Sequence, residues 1–220
     1  MQFPIDKTTV ENLARRRFMT ISALAAAGVA GGLVSGRASA QDAPTPFFPA
    51  PSTAVPRAFN HVGINVTDIE RAVAFYEQVI GANILVPPVE IVAGQGEPGE
   101  RFSGLAGESF GRTQVAYLTT ANGVGLELFE FTDPQTEAEP EVQDSLLGRY
   151  WKPGVWHISV TVEDVDEFVA LVEANGGARA SETVETPPGS GYRLAFVADP
   201  FGMLIEPMSV SFDQAMSNLL

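Results

Sequence analysis

The chain contains two histidines, His61 and His157, and each opens a segment of the same pattern. His61-Val-Gly-Ile-Asn-Val-Thr-Asp68 lies over His157-Ile-Ser-Val-Thr-Val-Glu-Asp164. The ungapped match runs on to Gly81-Ala82 over Gly177-Ala178, with eight identities in 22 positions. A second ungapped pairing sets Val115–Glu127 against Leu194–Glu206, which makes Glu127 and Glu206 equivalent as well. Neutral imidazole is a borderline donor and carboxylate a hard one, so two of each around a point suit a divalent metal. Four such ligands on a six-coordinate ion leave two positions for water or substrate. Taken singly, a histidine at a strand start also reads as a structural residue, and a strand glutamate as a solvent-facing one. Duplication preserves packing residues as readily as ligands. The coincidence favours the metal. The only two histidines match, and the carboxylates of Gly-Leu-Glu-Leu-Phe and Leu-Ile-Glu-Pro-Met would be costly if buried without a partner.

The elements that must carry these residues are also written twice. Ile64 and Val66, like Val160 and Val162, alternate as in a half-buried strand. Asp68 and Asp164 stand where a helix takes its N-cap. Apolar residues then switch to helical spacing at Ile69, Val73, Tyr76 and Ile80, and at Val165, Phe168, Val169 and Val172. Gly81 and Gly176 are the expected helix ends. Asn122-Gly123 and Asp199-Pro200-Phe201-Gly202 supply the turn between two later strands of each copy. Each copy therefore reads βαβββ, and neither can bury its sheet face alone. The expected fold is α+β, with paired modules forming a curved eight-stranded mixed sheet around a metal-binding cleft. Because side chains alternate across a strand, His61, Gly63 and Asn65 share one face, as do Gly125, Glu127 and Phe129. A pseudo-two-fold axis between the copies would bring both imidazoles and both carboxylates to one point. An insertion from Ala93 to Arg112 holds six glycines and reads as a lid or mobile surface loop.

The two copies occupy 57–131 and 154–210, with an acidic linker at 132–153 and a tail at 211–220. Ahead of them, Arg15, Arg16 and Arg17 precede a short run rich in Ala, Gly, Val and Leu from Ile21 to Val34, and Ala38-Ser39-Ala40 fits a cleavage site. Residues 1–40 thus resemble a twin-arginine signal peptide, which implies the twin-arginine export machinery as a partner and a periplasmic destination. An uncleaved anchor is the other reading of the same run. Residues 41–56 hold five prolines and read as a tether. Cleavage after Ala40 would remove five basic and two acidic residues, taking the net charge from −14 to −17. Such a chain does not grip nucleic acid by neutralising its phosphates. With no cysteine among 220 residues, disulfides, iron–sulfur clusters and thiol nucleophiles are excluded.

From about Ala58 to Val210 the chain resembles the vicinal oxygen chelate superfamily, the glyoxalase, bleomycin-resistance and dioxygenase group. The most specific pieces are His61-Val-Gly-Ile-x-Val-x-Asp68 with Ala74-Phe75-Tyr76, and Asp199-Pro200-Phe201-Gly202-Met203-Leu204-Ile205-Glu206. The resemblance implies one divalent metal held by His61, Glu127, His157 and Glu206, the pattern of glyoxalase I-type enzymes. Zinc or nickel is expected first, and cobalt, manganese and iron are accepted by the same donors. It also implies chelation of neighbouring oxygens of a small molecule, with Glu206 or Glu127 as the base, hence isomerase or lyase chemistry. A homodimer is expected on the same ground. Acyl-CoA epimerases of the group usually carry Gln where Glu127 stands. The exported destination and the acidic charge argue against a glutathione adduct as substrate. Phe129, Trp156 and Tyr192 are candidate pocket walls, and Arg101, Arg112 and Arg193 candidate carboxylate clamps. A metal-free sequestering or resistance protein and an iron- or manganese-dependent ring-cleaving dioxygenase are the alternatives.

Overall fold

The computed structural model describes residues 57–137, 150–151 and 153–217. The leader, the tether, most of the linker and the last three tail residues lie outside them. No helix among the described residues is long and apolar enough to cross a membrane.

The first module runs β1 (His61–Asn65), α1 (Ile69–Ile80), β2 (Asn83–Val92), α2 (Gly96–Ala106), β3 (Arg112–Thr119) and β4 (Gly125–Asp133). Its sheet has the order β1-β4-β3-β2, with β1 parallel to β4 and the other neighbours antiparallel. The second runs β5 (His157–Thr161), α3 (Val165–Ala174), β6 (Ala178–Arg179), β7 (Val184–Glu185), β8 (Arg193–Leu194), β9 (Val197–Ala198) and β10 (Leu204–Met208), then a short α4 (Phe212–Ser217). Here β5 is again parallel to the last strand, β10. The fold is mixed α+β, as expected.

Helix starts follow the sequence pattern. The Asp68 carboxylate accepts from the Arg71 N–H, and that of Asp164 from Asp166 and Glu167. Gly81 closes α1 in the left-handed region at φ +69°. The second helix stops one residue before the expected glycine: Asn175 is its C-cap, and Gly176 takes the left-handed turn just beyond at φ +84°.

The strand count differs from eight. Among the described residues there are ten strand segments in two separate sheets of four and six. The extra ends arise in the second module, where the N–H groups of both Ala180 and Ser181 donate to the Phe196 carbonyl. The Phe196 N–H in turn donates to the Ser181 hydroxyl rather than to backbone. That bulge splits each of the two strands it joins into short pieces. The sheets are not continuous because side chains, not ladder hydrogen bonds, join the modules. One core holds Ile64, Leu126 and Leu128 from the first sheet, Val197 and Ile205 from the second, and the buried stripes of α1 and α3. Within it the Tyr76 hydroxyl donates to the Asp199 carboxylate at 2.8 Å. At its edge Arg71 donates to the Gly176 carbonyl and its guanidinium lies 5.7 Å from the Phe201 ring.

The glycine-rich insertion is not a loop. It contains α2, pinned by Phe102 and Phe110 to Phe129 and Phe131 with ring centroids 5.0–6.5 Å apart. Gly99 permits the docking, since a Cβ there would stand 2.0 Å from the Val92 carbonyl oxygen. Gly99→Ala is therefore expected to lift α2 off β2 and destabilise the protein by roughly 1–3 kcal/mol. The check is urea unfolding, with faster proteolysis between Ala93 and Arg112 as a second readout.

Candidate active site

The two sheets present their histidines and glutamates on the faces turned away from the shared core. In β1 and β4 the register sets His61 opposite Gly125 and Gly63 opposite Glu127. In β5 and β10 it sets His157 opposite Leu204 and Ser159 opposite Glu206. The offset is the same, so each module builds the same pair. His61 Nε2 lies 3.4 Å from Glu127 Oε2, and His157 Nε2 lies 3.3 Å from Glu206 Oε2. The surroundings differ. The first pair is open, with side chains 48% and 30% exposed; the second is enclosed, at 27% and 15%.

The structure brings each histidine to its own module's glutamate, but it does not bring the four together. Among the described residues no group of three or more His, Asp or Glu could share a metal ion. The sequence leaves open whether one chain or a partner completes the cleft; within the described residues of one chain the packing keeps the two pairs apart. The residues that alternate with the histidines and glutamates, Ile64, Leu126, Leu128 and Ile205, are consumed by the core between the modules. The donor sets nonetheless fit a divalent ion as halves. Each offers one imidazole nitrogen and one carboxylate oxygen at about the separation that two ligands of one ion adopt. His61 has the outer partner such a ligand needs, its Nδ1 lying 2.6 Å from Asn60 Oδ1.

Of the candidate walls, Phe129 lies on the Glu127 face, one turn of the pleat further along β4, against Gly63 and Phe102. Trp156 stands beside His157 and Phe196, with centroids at 5.1 and 5.3 Å. The Tyr192 hydroxyl receives a hydrogen bond from Gln214. The candidate clamps already face carboxylates of the chain: Arg101 pairs with Glu97, Arg112 with Glu90, and Arg193 with Asp166. The Arg193 pair and the Thr183 hydroxyl hold the Asp166 carboxyl below its ordinary range, with the Thr183 bond the larger cause. Three neighbours of the site were not foreseen. Asn60 touches His61, Tyr117 sits opposite Glu127 across β3 and β4, and Phe196 covers His157.

Two modules, each closing a parallel first and last strand over a His–Glu pair, define a duplicated scaffold. A family model for the Glyoxalase/Bleomycin resistance protein/Dioxygenase superfamily matches residues 58–206, and the chain belongs to that family. It is 30% identical over 164 residues to a 2-epi-5-epi-valiolone epimerase from Actinomyces sp, an alignment covering 71% of this chain and 84% of that protein. A glyoxalase family protein from Bacillus cereus superposes with TM-score 0.54 at 26% identity, covering 72% of this chain and 97% of that one. The fosfomycin resistance protein FosX of Listeria monocytogenes, solved with Mn(II), gives a TM-score of 0.44 at 15% identity, over 74% and 99% of the two chains.

Proposed function

We propose that the protein is a metal-dependent isomerase of the epimerase type, acting on a small hydroxyketone, and that two copies of the chain complete each site. The repeated register carries this reading. Two equivalent half-sets stand on the two sheets, and each supplies half of a four-donor set. A second copy related by a two-fold axis would set His61 and Glu127 of one chain against His157 and Glu206 of the other, twice over. The likeness to an epimerase supports the reaction type, and its substrate's name denotes a ketone.

A divalent ion in that set would supply Lewis-acid polarisation of neighbouring substrate oxygens, which acidifies the adjacent C–H. The chain's own residues supply the proton traffic. Glu206, flanked in β10 by the buried Leu204 and Met208, is the less hydrated carboxylate and is assigned as the base. It takes the proton from the carbon beside the carbonyl. Glu127, from the opposing half-set and in its protonated form, returns one to the other face of that carbon. Inversion needs two groups on opposite sides, and the duplication provides them. Trp156 and Phe196 pack on His157 beside Glu206, while Tyr117 and Phe129 lie on the Glu127 face.

The test is complementation. Metal content is measured for His61→Ala, for His157→Ala and for a refolded mixture of the two. Each variant alone is expected to lose its ion. The mixture regains one intact site per mixed dimer, because one chain's His61 meets the other's His157. No recovery in the mixture would overturn the shared site. No metal in the unaltered protein would overturn the metal reading and favour a sequestering role. We also propose that residues 1–40 are an export leader. Mass spectrometry of the exported protein is the check, with Gln41 as the expected first residue.

A further inference from the structure

We propose that the two histidines are held in opposite neutral tautomers, and that Asn60 is the positioning residue that makes His61 the ready metal ligand of the pair. The consequence for metal rests on the reading above; the tautomers do not.

An amide oxygen carries lone pairs and no hydrogen, so the 2.6 Å contact with Asn60 Oδ1 places the His61 proton on Nδ1. In the neutral ring the lone pair is then on Nε2. That nitrogen lies 3.4 Å from a carboxylate oxygen, so two acceptors face each other and a cation between them relieves the contact. Asn60 is itself fixed, because its carbonyl accepts from the Gly125 N–H at 2.8 Å. Gly125 also leaves the ring its room. A Cβ there would stand 3.0 Å from the Cβ of His61.

The second module has no counterpart. The residue before His157 is Trp156, whose ring, with that of Phe196, packs on the imidazole. His157 Nδ1 is buried there without a hydrogen-bond partner. A buried orphan N–H is the rarer and costlier state, so the proton belongs on Nε2, which faces Glu206 Oε2 at 3.3 Å. On this ring it is Nε2, not Nδ1, that has an acceptor beside it, the carboxylate of its own module. To ligate an ion through Nε2 it must first move its proton to a nitrogen that has no acceptor. His61 needs no such move. The His61–Glu127 half would therefore be the first to hold a divalent ion, and the other half the second.

Long-range proton–nitrogen NMR of the metal-free protein at about pH 8, where imidazole is ordinarily neutral, reads this directly. Only two rings contribute, and a His157→Gln variant assigns them. The expected result is Nδ1–H for His61 and Nε2–H for His157. Asn60→Ala is expected to move His61 toward Nε2–H, to leave His157 unchanged and to weaken zinc binding about 10–100-fold. Asn60→Asp, which keeps an acceptor, restores both. Two rings in the same tautomer, or a His61 pattern indifferent to Asn60→Ala, would overturn the proposal. A tautomer difference with no zinc bound by the unaltered protein would leave the tautomer assignment standing and remove its metal consequence.

Discussion

Replacing Glu206 with glutamine is expected to slow proton exchange at the reacting carbon by about 10²–10⁴-fold, the range that a positioned acid or base contributes. Glutamine keeps the size and one oxygen donor but cannot accept the proton. Solvent-deuterium incorporation into the ketone measures the step itself, apart from product release. The fold should be untouched, because Glu206 faces away from the core formed by Ile205 and Val197. Its backbone carbonyl, which accepts from the Ser159 hydroxyl, is also unchanged. The same unfolding midpoint with exchange lost is the expected pair of results. Unaltered exchange would move the role of base to Glu127.

The second large effect is on stability. Asp199→Ala is expected to cost about 2–5 kcal/mol, because it strands three donors at once. The carboxylate accepts from the Tyr76 hydroxyl at 2.8 Å, from the Phe201 N–H at 2.9 Å and from the Met203 N–H at 2.8 Å. The first bond crosses between modules, and the other two shape the turn that leads to Glu206. For a domain of this size the melting temperature should fall on the order of 10 °C.

The pH dependence has a definite sign. Burial pushes the Asp199 carboxyl above its ordinary range, against the opposing pull of its hydrogen bonds. The folded state therefore holds a proton that the unfolded chain has already released. The stabilisation is fully present below the ordinary carboxylate range and is lost as pH rises through the raised value. Asp199→Asn removes this term. Its stability relative to the unaltered protein should improve from acid toward neutral pH. Tyr76 is likewise raised, chiefly by burial and then by Asp199. It favours the fold below pH 10.0, its ordinary value, with the advantage lost as pH climbs through the raised one. Urea midpoints across pH for the two proteins decide both points.

The two His–Glu pairs were legible because duplication marks them. His61 and His157, Glu127 and Glu206, and the caps Asp68 and Asp164 fall at equal positions, and the pleat fixes which face each takes. Their assembly was not legible. Alternation says that Ile64 and Leu128 point opposite to the histidines and glutamates, but not that both modules spend that face on one another. Comparison of two copies also finds only what they share. Asn60 is matched by Trp156 and Tyr117 by Phe196, so residues that make the halves unequal leave no repeat signal. Helix α2 was hidden for another reason. Three glycines, Gly96, Gly99 and Gly104, lower its intrinsic propensity, while the rings of Phe102 and Phe110, anchored from β4, hold it in place.

The parallel pairing of the first and last strand has a kinetic consequence. A parallel neighbour is reached only by a crossover, so an entire module of chain lies between each histidine and its glutamate. These contacts are the most non-local in each unit and carry the largest loop-closure penalty. The donor pairs should accordingly form last, after the hairpin of β3 and β4 and its helix. An ion cannot template such a chain. On the metal-dependent reading proposed above, it could only clasp a module that has already folded, which would make metal uptake a clock for the end of folding rather than its trigger.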